Sequence, residues 1–138
     1  MIKWGLVGVG DISNKRVAPA IREQADSELV AAYGPIPEEL ERFVAKNPVA
    51  KVYSKLEDLL ADDEIDAVYI ATPIFVHYPI ALQAIQSGKH VLVEKPMAMT
   101  NDECESLIRA AKEKNVKLGV AYFRRFFPKI AEVKRLIE

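Results

Sequence analysis

Disulfides, membrane spans and a strong charge imbalance are all missing from this chain. Cys104 is the only cysteine among 138 residues, so no internal disulfide can form and a reducing compartment is expected. No apolar run is long enough to cross a bilayer. The formal net charge is -1, which argues against broad electrostatic binding to nucleic acid. The opening apolar stretch is brief and runs into Asp11 with no small-residue cleavage site, unlike a secretory signal. Internal repeats, low-complexity segments and linkers are absent too. These absences lead to the expectation of a cytoplasmic protein with neither a nucleic-acid nor a membrane partner. Half of the residues are apolar, enough for a real core, and the length suits one domain.

What is present alternates between two periodicities. Apolar runs at 2–9, 28–33, 51–53, 66–71, 90–93 and 118–122 read as strands. Helix-period segments lie between them, at 12–24 (interrupted near Pro19), 37–46, a stretch opened by Ser54-Lys55-Leu56-Glu57, 76–87, and a stretch opened by Thr100-Asn101-Asp102-Glu103. Both tetrapeptides read as capping boxes. Cys104, Leu107, Ile108 and Ala111 are expected on one buried helix face, and Ile130, Val133 and Ile137 on the stripe of a terminal helix. Strand–helix alternation predicts an α/β fold, a doubly wound parallel sheet of about six strands in the order 3-2-1-4-5-6 with helices on both faces.

The first strand ends in Gly8-Val9-Gly10-Asp11-Ile12-Ser13. Two glycines of a G-x-G-x-x-G turn are in place, and Ser13 stands at the third position. Such a turn presents free amides and the positive end of a helix to a pyrophosphate. Ser13 is small enough for close helix–strand packing, and its hydroxyl could donate to a phosphate oxygen. Asp11 is expected to cap the first helical turn. The plainer reading is an ordinary strand–turn–helix.

In this fold ligands sit at the carboxyl ends of the strands. There the chain carries Gly34-Pro35-Ile36, Ala71-Thr72-Pro73 with His77, Glu94-Lys95-Pro96, and Arg124-Arg125. Taken alone, Lys95 could equally form a surface ion pair with Glu94, and His77 could be a helix-start histidine without a ligand. Asp62, Asp63 and Glu64 read as a solvated loop, not a metal site. Met97 and Met99 are expected to pack, and Cys104 has no evident base to activate it.

The run Gly88-Lys89-His90-Val91-Leu92-Val93-Glu94-Lys95-Pro96 resembles the signature of the glucose–fructose oxidoreductase, inositol dehydrogenase and MocA family. Ala121-Tyr122-Phe123-Arg124-Arg125-Phe126, the glycine turn and Thr72-Pro73 with His77 fit the same family in order. The resemblance implies a Rossmann-like NAD(P)-binding domain over 1–122 and, over 123–138, the start of a connection to a substrate domain. It implies an oxidoreductase acting on a sugar, polyol or related carbonyl compound. Lys95 is implied as the catalytic proton donor or acceptor. Gly8, Val9, Gly10, Asp11, Ile12, Gly34, Ala71, Thr72, Pro73, His77, Glu94, Lys95 and Arg125 are implied to hold the cofactor. Glu94 would bond the nicotinamide ribose or orient Lys95, and Pro96 would fix the turn through a cis bond.

Three departures from the pattern shape the expectations. Gly34-Pro35 replaces the carboxylate that usually takes the ribose hydroxyl of NAD, which tips the choice between NAD and NADP toward NADP. Ile74 stands where an asparagine is common. The chain also stops inside the connecting helix, so it is expected to be the cofactor-binding half of an enzyme and inactive alone. Homo-oligomerisation and a sugar-like substrate are expected of the complete protein. The competing reading is a non-catalytic dinucleotide-binding regulatory or interaction module; a third is an enzyme completed by a separate chain.

Overall fold

The computed structural model describes residues 1–138. Strands β1 (Ile2–Val7), β2 (Ser27–Tyr33), β3 (Lys51–Tyr53), β4 (Ala67–Ile70), β5 (His90–Glu94) and β6 (Leu118–Ala121) form one parallel sheet. Their order is β3-β2-β1-β4-β5-β6, as the alternation predicts. All four residues of β4 are buried, as a strand covered on both faces requires.

Helices α1 (Ala18–Glu23) and α2 (Pro37–Lys46) cover one face of the sheet, where Val17, Ile21, Leu40 and Phe43 pack on Leu6, Leu29 and Tyr69. Helices α3 (Leu56–Leu60), α4 (His77–Gln86) and α5 (Asn101–Glu113) cover the other. There Leu59, Ala81, Ile85 and Leu107 meet Val7, Val68, Ile70 and Val93. Side chains alternate between faces along each strand, so each core draws on every second residue. The register shifts between Trp4 and Gly5 of β1, which pair with Leu29 and Ala31. Val30 is the extra residue of this bulge, which periodicity did not reveal. Helix α6 (Pro128–Ile137) leaves Ile130, Val133 and Ile137 exposed. No helix is long and apolar enough to cross a membrane.

Local chemistry accounts for the deviations from expectation. The helix before Pro19 opens with a wide turn over Ser13–Val17, in which the Ala18 amide reaches the Ser13 carbonyl. Proline lacks an N–H and crowds the carbonyl one turn back; the wider turn carries both consequences. The capping box at Thr100 forms, with Glu103 N–H donating to Thr100 Oγ1 and Thr100 N–H to Glu103. The one expected at Ser54 does not. Helix α3 starts at Leu56, so Lys55 takes the cap position and no side chain caps it. Ile108 is 43% exposed, because the buried stripe of α5 is the narrower Leu107–Ala111 pair. Met97 packs on the core, whereas Met99 is exposed.

Asp62 is not part of a solvated loop. Its carboxylate accepts from Lys51 Nζ at 2.7 Å, the Tyr53 hydroxyl at 2.8 Å and the Glu64 amide at 3.0 Å. Lys89, buried at the start of β5, donates to the carbonyls of Asp62 and Ile65, both at 2.8 Å. This network ties the amino ends of β3, β4 and β5 together, opposite the edge where ligands bind in such sheets.

The Lys51 ammonium, ahead of the Tyr53 hydroxyl, holds the Asp62 carboxyl down at about 2 against an ordinary 3.8. A depressed carboxylate stabilises the fold fully above its ordinary value and loses that contribution as pH falls through the folded value. Acid unfolding should therefore steepen between those two values. Asp62→Asn should flatten that part of the curve and cost about 1–3 kcal/mol at neutral pH; urea midpoints measured across pH would show both.

Candidate functional site

The end of β1 runs into a turn whose amides lack acceptors. Gly10, Asp11 and Ile12 donate to no backbone or side-chain group, while the carbonyls are engaged. Asn14 Nδ2 donates to the carbonyls of Val9 at 3.1 Å and Gly10 at 3.2 Å. Asn14 Oδ1 in turn accepts from Asn47 Nδ2 at 2.9 Å, and Asn47 Oδ1 from Arg22 Nη1 at 3.2 Å. Carbonyls held in this way leave the turn's donors for an outside partner.

Two glycines here serve different ends. Gly8 has φ +96°, and a Cβ on it would stand 2.7 Å from the Ala71 carbonyl oxygen. Only glycine allows β1 and β4 to approach so closely at this point. A Cβ on Gly10 would meet nothing within 4 Å. The space before the free amides is therefore open. Ser13 is fully buried, and its hydroxyl donates to the Gly8 carbonyl at 2.7 Å. This corrects the expectation that it serves a phosphate: the intraprotein acceptor has taken its proton. Asp11 does not cap the helix either. Its carboxylate lies 2.6 Å from Lys15 Nζ, one turn on, and that ammonium lowers its pKa. The pairing masks a negative charge that would repel an anion beside the turn.

A cleft of about 620 Å³ lies at the carboxyl edge, lined by Ile12, Ala71, Thr72, Ile74, His77, Glu94, Lys95 and the segment Ala121–Arg124. It sits where the strand order reverses, β1 facing β4. The Thr72 hydroxyl oxygen is buried in its wall without any hydrogen-bond partner. Buried polar atoms are rarely left so, and an orphan beside a cleft suits a polar ligand group.

His77 opens α4 and is 2% exposed. Its Nδ1 lies 2.9 Å from the Pro96 carbonyl oxygen and its Nε2 lies 2.8 Å from that of Thr72. A neutral imidazole donates to one of them; a cationic ring donates to both. Either way it clips the turn after β5 to the loop after β4. The Lys95–Pro96 peptide is cis. Glu94 accepts from the Tyr69 hydroxyl at 2.8 Å and from the Lys95 amide at 3.3 Å. Lys95 itself is exposed on the cleft wall and forms no ion pair with Glu94.

The structure gathers Ile12, Ala71, Thr72, His77, Glu94 and Lys95 around one space. Gly8 and Gly10 lie in the turn beside it, and buried Val9 packs beneath. Pro73 precedes Ile74 at the rim. Gly34 is buried at the end of β2, where a Cβ would stand 2.8 Å from Val9 Cγ2. Its smallness thus serves packing under the turn. Arg125 lies outside the cleft with its guanidinium over the Phe126 ring, and Arg124 lines the cleft in its place. Periodicity did not single out Tyr69, Asn14 or Asn47. Strand parity in a known register would have found Tyr69; nothing local marks the asparagines.

The family description "Oxidoreductase family, NAD-binding Rossmann fold" matches residues 2–122. The chain is 38% identical to an oxidoreductase of Formosa agariphila over 99% of its own length and 43% of that protein's. It is 36% identical to a scyllo-inositol 2-dehydrogenase (NADP(+)) of Bacillus subtilis over 98% of its length and 41% of that protein's. Among solved structures, it resembles a 3-ketoreductase from Actinomadura kijaniata in complex with TDP-benzene and NADP. That match has a TM-score of 0.91 at 28% identity, over 99% of this chain and 43% of that one. The chain thus spans less than half the length of the relatives it matches.

The clip at His77 has a measurable cost of removal. His77→Ala removes the ring that bridges the carbonyls of Thr72 and Pro96 and should lower unfolding stability by about 1–3 kcal/mol. Urea denaturation followed by circular dichroism measures it.

Proposed function

The chain belongs to the Gfo/Idh/MocA oxidoreductase family, and we propose that it is the NAD(P)-binding part of an enzyme moving a hydride between a nicotinamide and a sugar, polyol or related carbonyl compound. One observation carries this reading: Ile12, whose amide has no acceptor, and Lys95 line the same cleft, with the free amides of Gly10 and Asp11 in the turn beside it. The donor set suits a dinucleotide. Amides at a helix start with an open approach fit a pyrophosphate, and the orphan Thr72 hydroxyl fits a polar ligand group.

When bound, the nicotinamide supplies the hydride donor or acceptor. The chain's own groups do the rest. Gly10, Asp11 and Ile12 offer amides to the diphosphate, Thr72 and Glu94 offer polar contacts along the cleft, and Lys95 handles the proton at the reacting oxygen. In the reducing direction the Lys95 ammonium gives its proton to the forming alkoxide. In the oxidising direction the amine takes the hydroxyl proton as hydride leaves carbon. Neither direction gains from Lys95 unless the substrate is held against it, and this is the task assigned to residues of the complete enzyme.

NADP is favoured over NAD. Gly34-Pro35-Ile36 at the end of β2 carries no carboxylate to accept a ribose hydroxyl or repel a 2′-phosphate. The ketoreductase and the inositol dehydrogenase named above are both NADP proteins by description. The same reading includes a cytoplasmic location, a sugar-like substrate and homo-oligomerisation for the complete protein. It also includes the division into a dinucleotide-binding part over 1–122 and a connecting segment over 123–138.

Titration with NADPH and NADH, followed by nicotinamide fluorescence, should give saturable binding with NADPH the tighter. Gly10→Val should abolish it without unfolding the chain, since a Cβ at this position meets nothing within 4 Å and the added methyls take up the open space before the amides. Absence of saturable binding of either dinucleotide at millimolar concentration would falsify the proposal.

A further inference from the structure

Tyr69 is 9% exposed and belongs to the core beneath the first two helices, with Leu6, Val17 and Leu40 among its members. In the parallel register it sits beside Leu92 of β5. Glu94 is two residues further along the same strand and therefore on the same face of the sheet. One diagonal step separates them, and the phenol spans it. Its hydroxyl donates to Glu94 Oε1 at 2.8 Å. A buried aromatic ring is a rigid arm for such a bond. A carboxylate next to a lysine in sequence and at a cleft rim has an obvious alternative, which is to pair with that lysine. Here it does not, and the ammonium of Lys95 stays free.

We propose that Tyr69 is a positioning residue: its hydroxyl anchors the Glu94 carboxylate at the cleft mouth in an orientation that leaves the Lys95 ammonium unpaired. The inference rests on the reading of this cleft as a dinucleotide site and assigns the internal support of its reacting end. Tyr69 touches neither cofactor nor substrate; it acts through Glu94. Burial, and after it the Glu94 hydrogen bond, push the Tyr69 phenol above its ordinary value, so it remains a donor throughout the neutral range. Tyr69→Phe removes this donor while preserving the ring and its packing.

The test uses the 138-residue chain and two probes. One is whichever of NADPH and NADH binds the wild type more tightly. The other is its adenosine half, 2′-phospho-ADP or ADP, which lacks the nicotinamide and its ribose. Tyr69→Phe should weaken the dinucleotide about tenfold and leave the adenosine half within about twofold. Glu94→Gln should show the same pattern, and the double variant should bind no more weakly than Glu94→Gln alone. Equal affinities in Tyr69→Phe and wild type, equal losses for both probes, or additive losses in the double variant would each overturn the inference. A wild type that binds neither dinucleotide overturns the functional reading and this inference with it. A wild type that binds, with an unaffected Tyr69→Phe, overturns this inference alone. Should Tyr69→Phe fail to fold, alkaline titration of Glu94→Ala by ultraviolet absorbance replaces it. One tyrosine should then ionise at lower pH than in the wild type, and an unchanged titration overturns the inference.

Discussion

The close passage of the Gly8 backbone beneath the Ala71 carbonyl is the constraint on which the site depends. It brings the end of β1 against the end of β4 at the place where strand order reverses. A side chain at Gly8 would push the two apart and open the floor of the cleft. Because the backbones touch, the amides of the turn, the Thr72 hydroxyl and the groups after β5 share one space. The Ser13 hydroxyl reinforces this contact by holding the Gly8 carbonyl from the helix side.

Around that floor, hydrogen bonds settle which groups are spent and which are free. Asn14 occupies the carbonyls of the turn, so its amides have no internal partner. His77 occupies the carbonyls of Thr72 and Pro96. Tyr69 occupies one oxygen of Glu94. What remains unpaired on the cleft side includes a set of amides, one buried hydroxyl, the Lys95 ammonium and the Arg124 guanidinium. This division distinguishes a prepared site from a chance gathering of polar residues, since buried polar groups otherwise find partners within the protein. The opposite edge of the sheet shows the contrast. There Lys51, Tyr53, Asp62 and Lys89 satisfy one another, and the result is a stabilising knot with nothing left to offer a ligand.

Much of the fold was legible from periodicity. The strand β4 reads as a buried parallel strand because all its residues are apolar, and the helix over Pro37–Lys46 starts at its proline. The capping box at Thr100 marks a real helix start. The similar tetrapeptide at Ser54 fails because the short strand before it ends at Tyr53 and the chain needs two residues to turn. A four-residue pattern cannot sense that. Of the two arginines after β6, only Arg124 lines the cleft, and the turn that decides this follows Ala121 with no periodic signal. Local spacing suits Asp11 to a helix cap and Ser13 to a phosphate, but both are taken by partners that it offers equally: Lys15 one turn on, and the Gly8 carbonyl behind.

Sequence alone determined the element types, the strand order and the family of this chain. Those follow from side-chain period, from the handedness of strand–helix–strand crossovers and from a short contiguous signature, all of which are local or nearly so. Tertiary structure alone decided the pairing of Tyr69 with Glu94, 25 residues apart, the clip that His77 makes across two loops, and the isolation of the Lys95 ammonium. Each depends on the register between neighbouring strands, where a shift of one residue turns every side chain to the opposite face. Register is set by the packing of both cores at once, and no window of the chain contains that information.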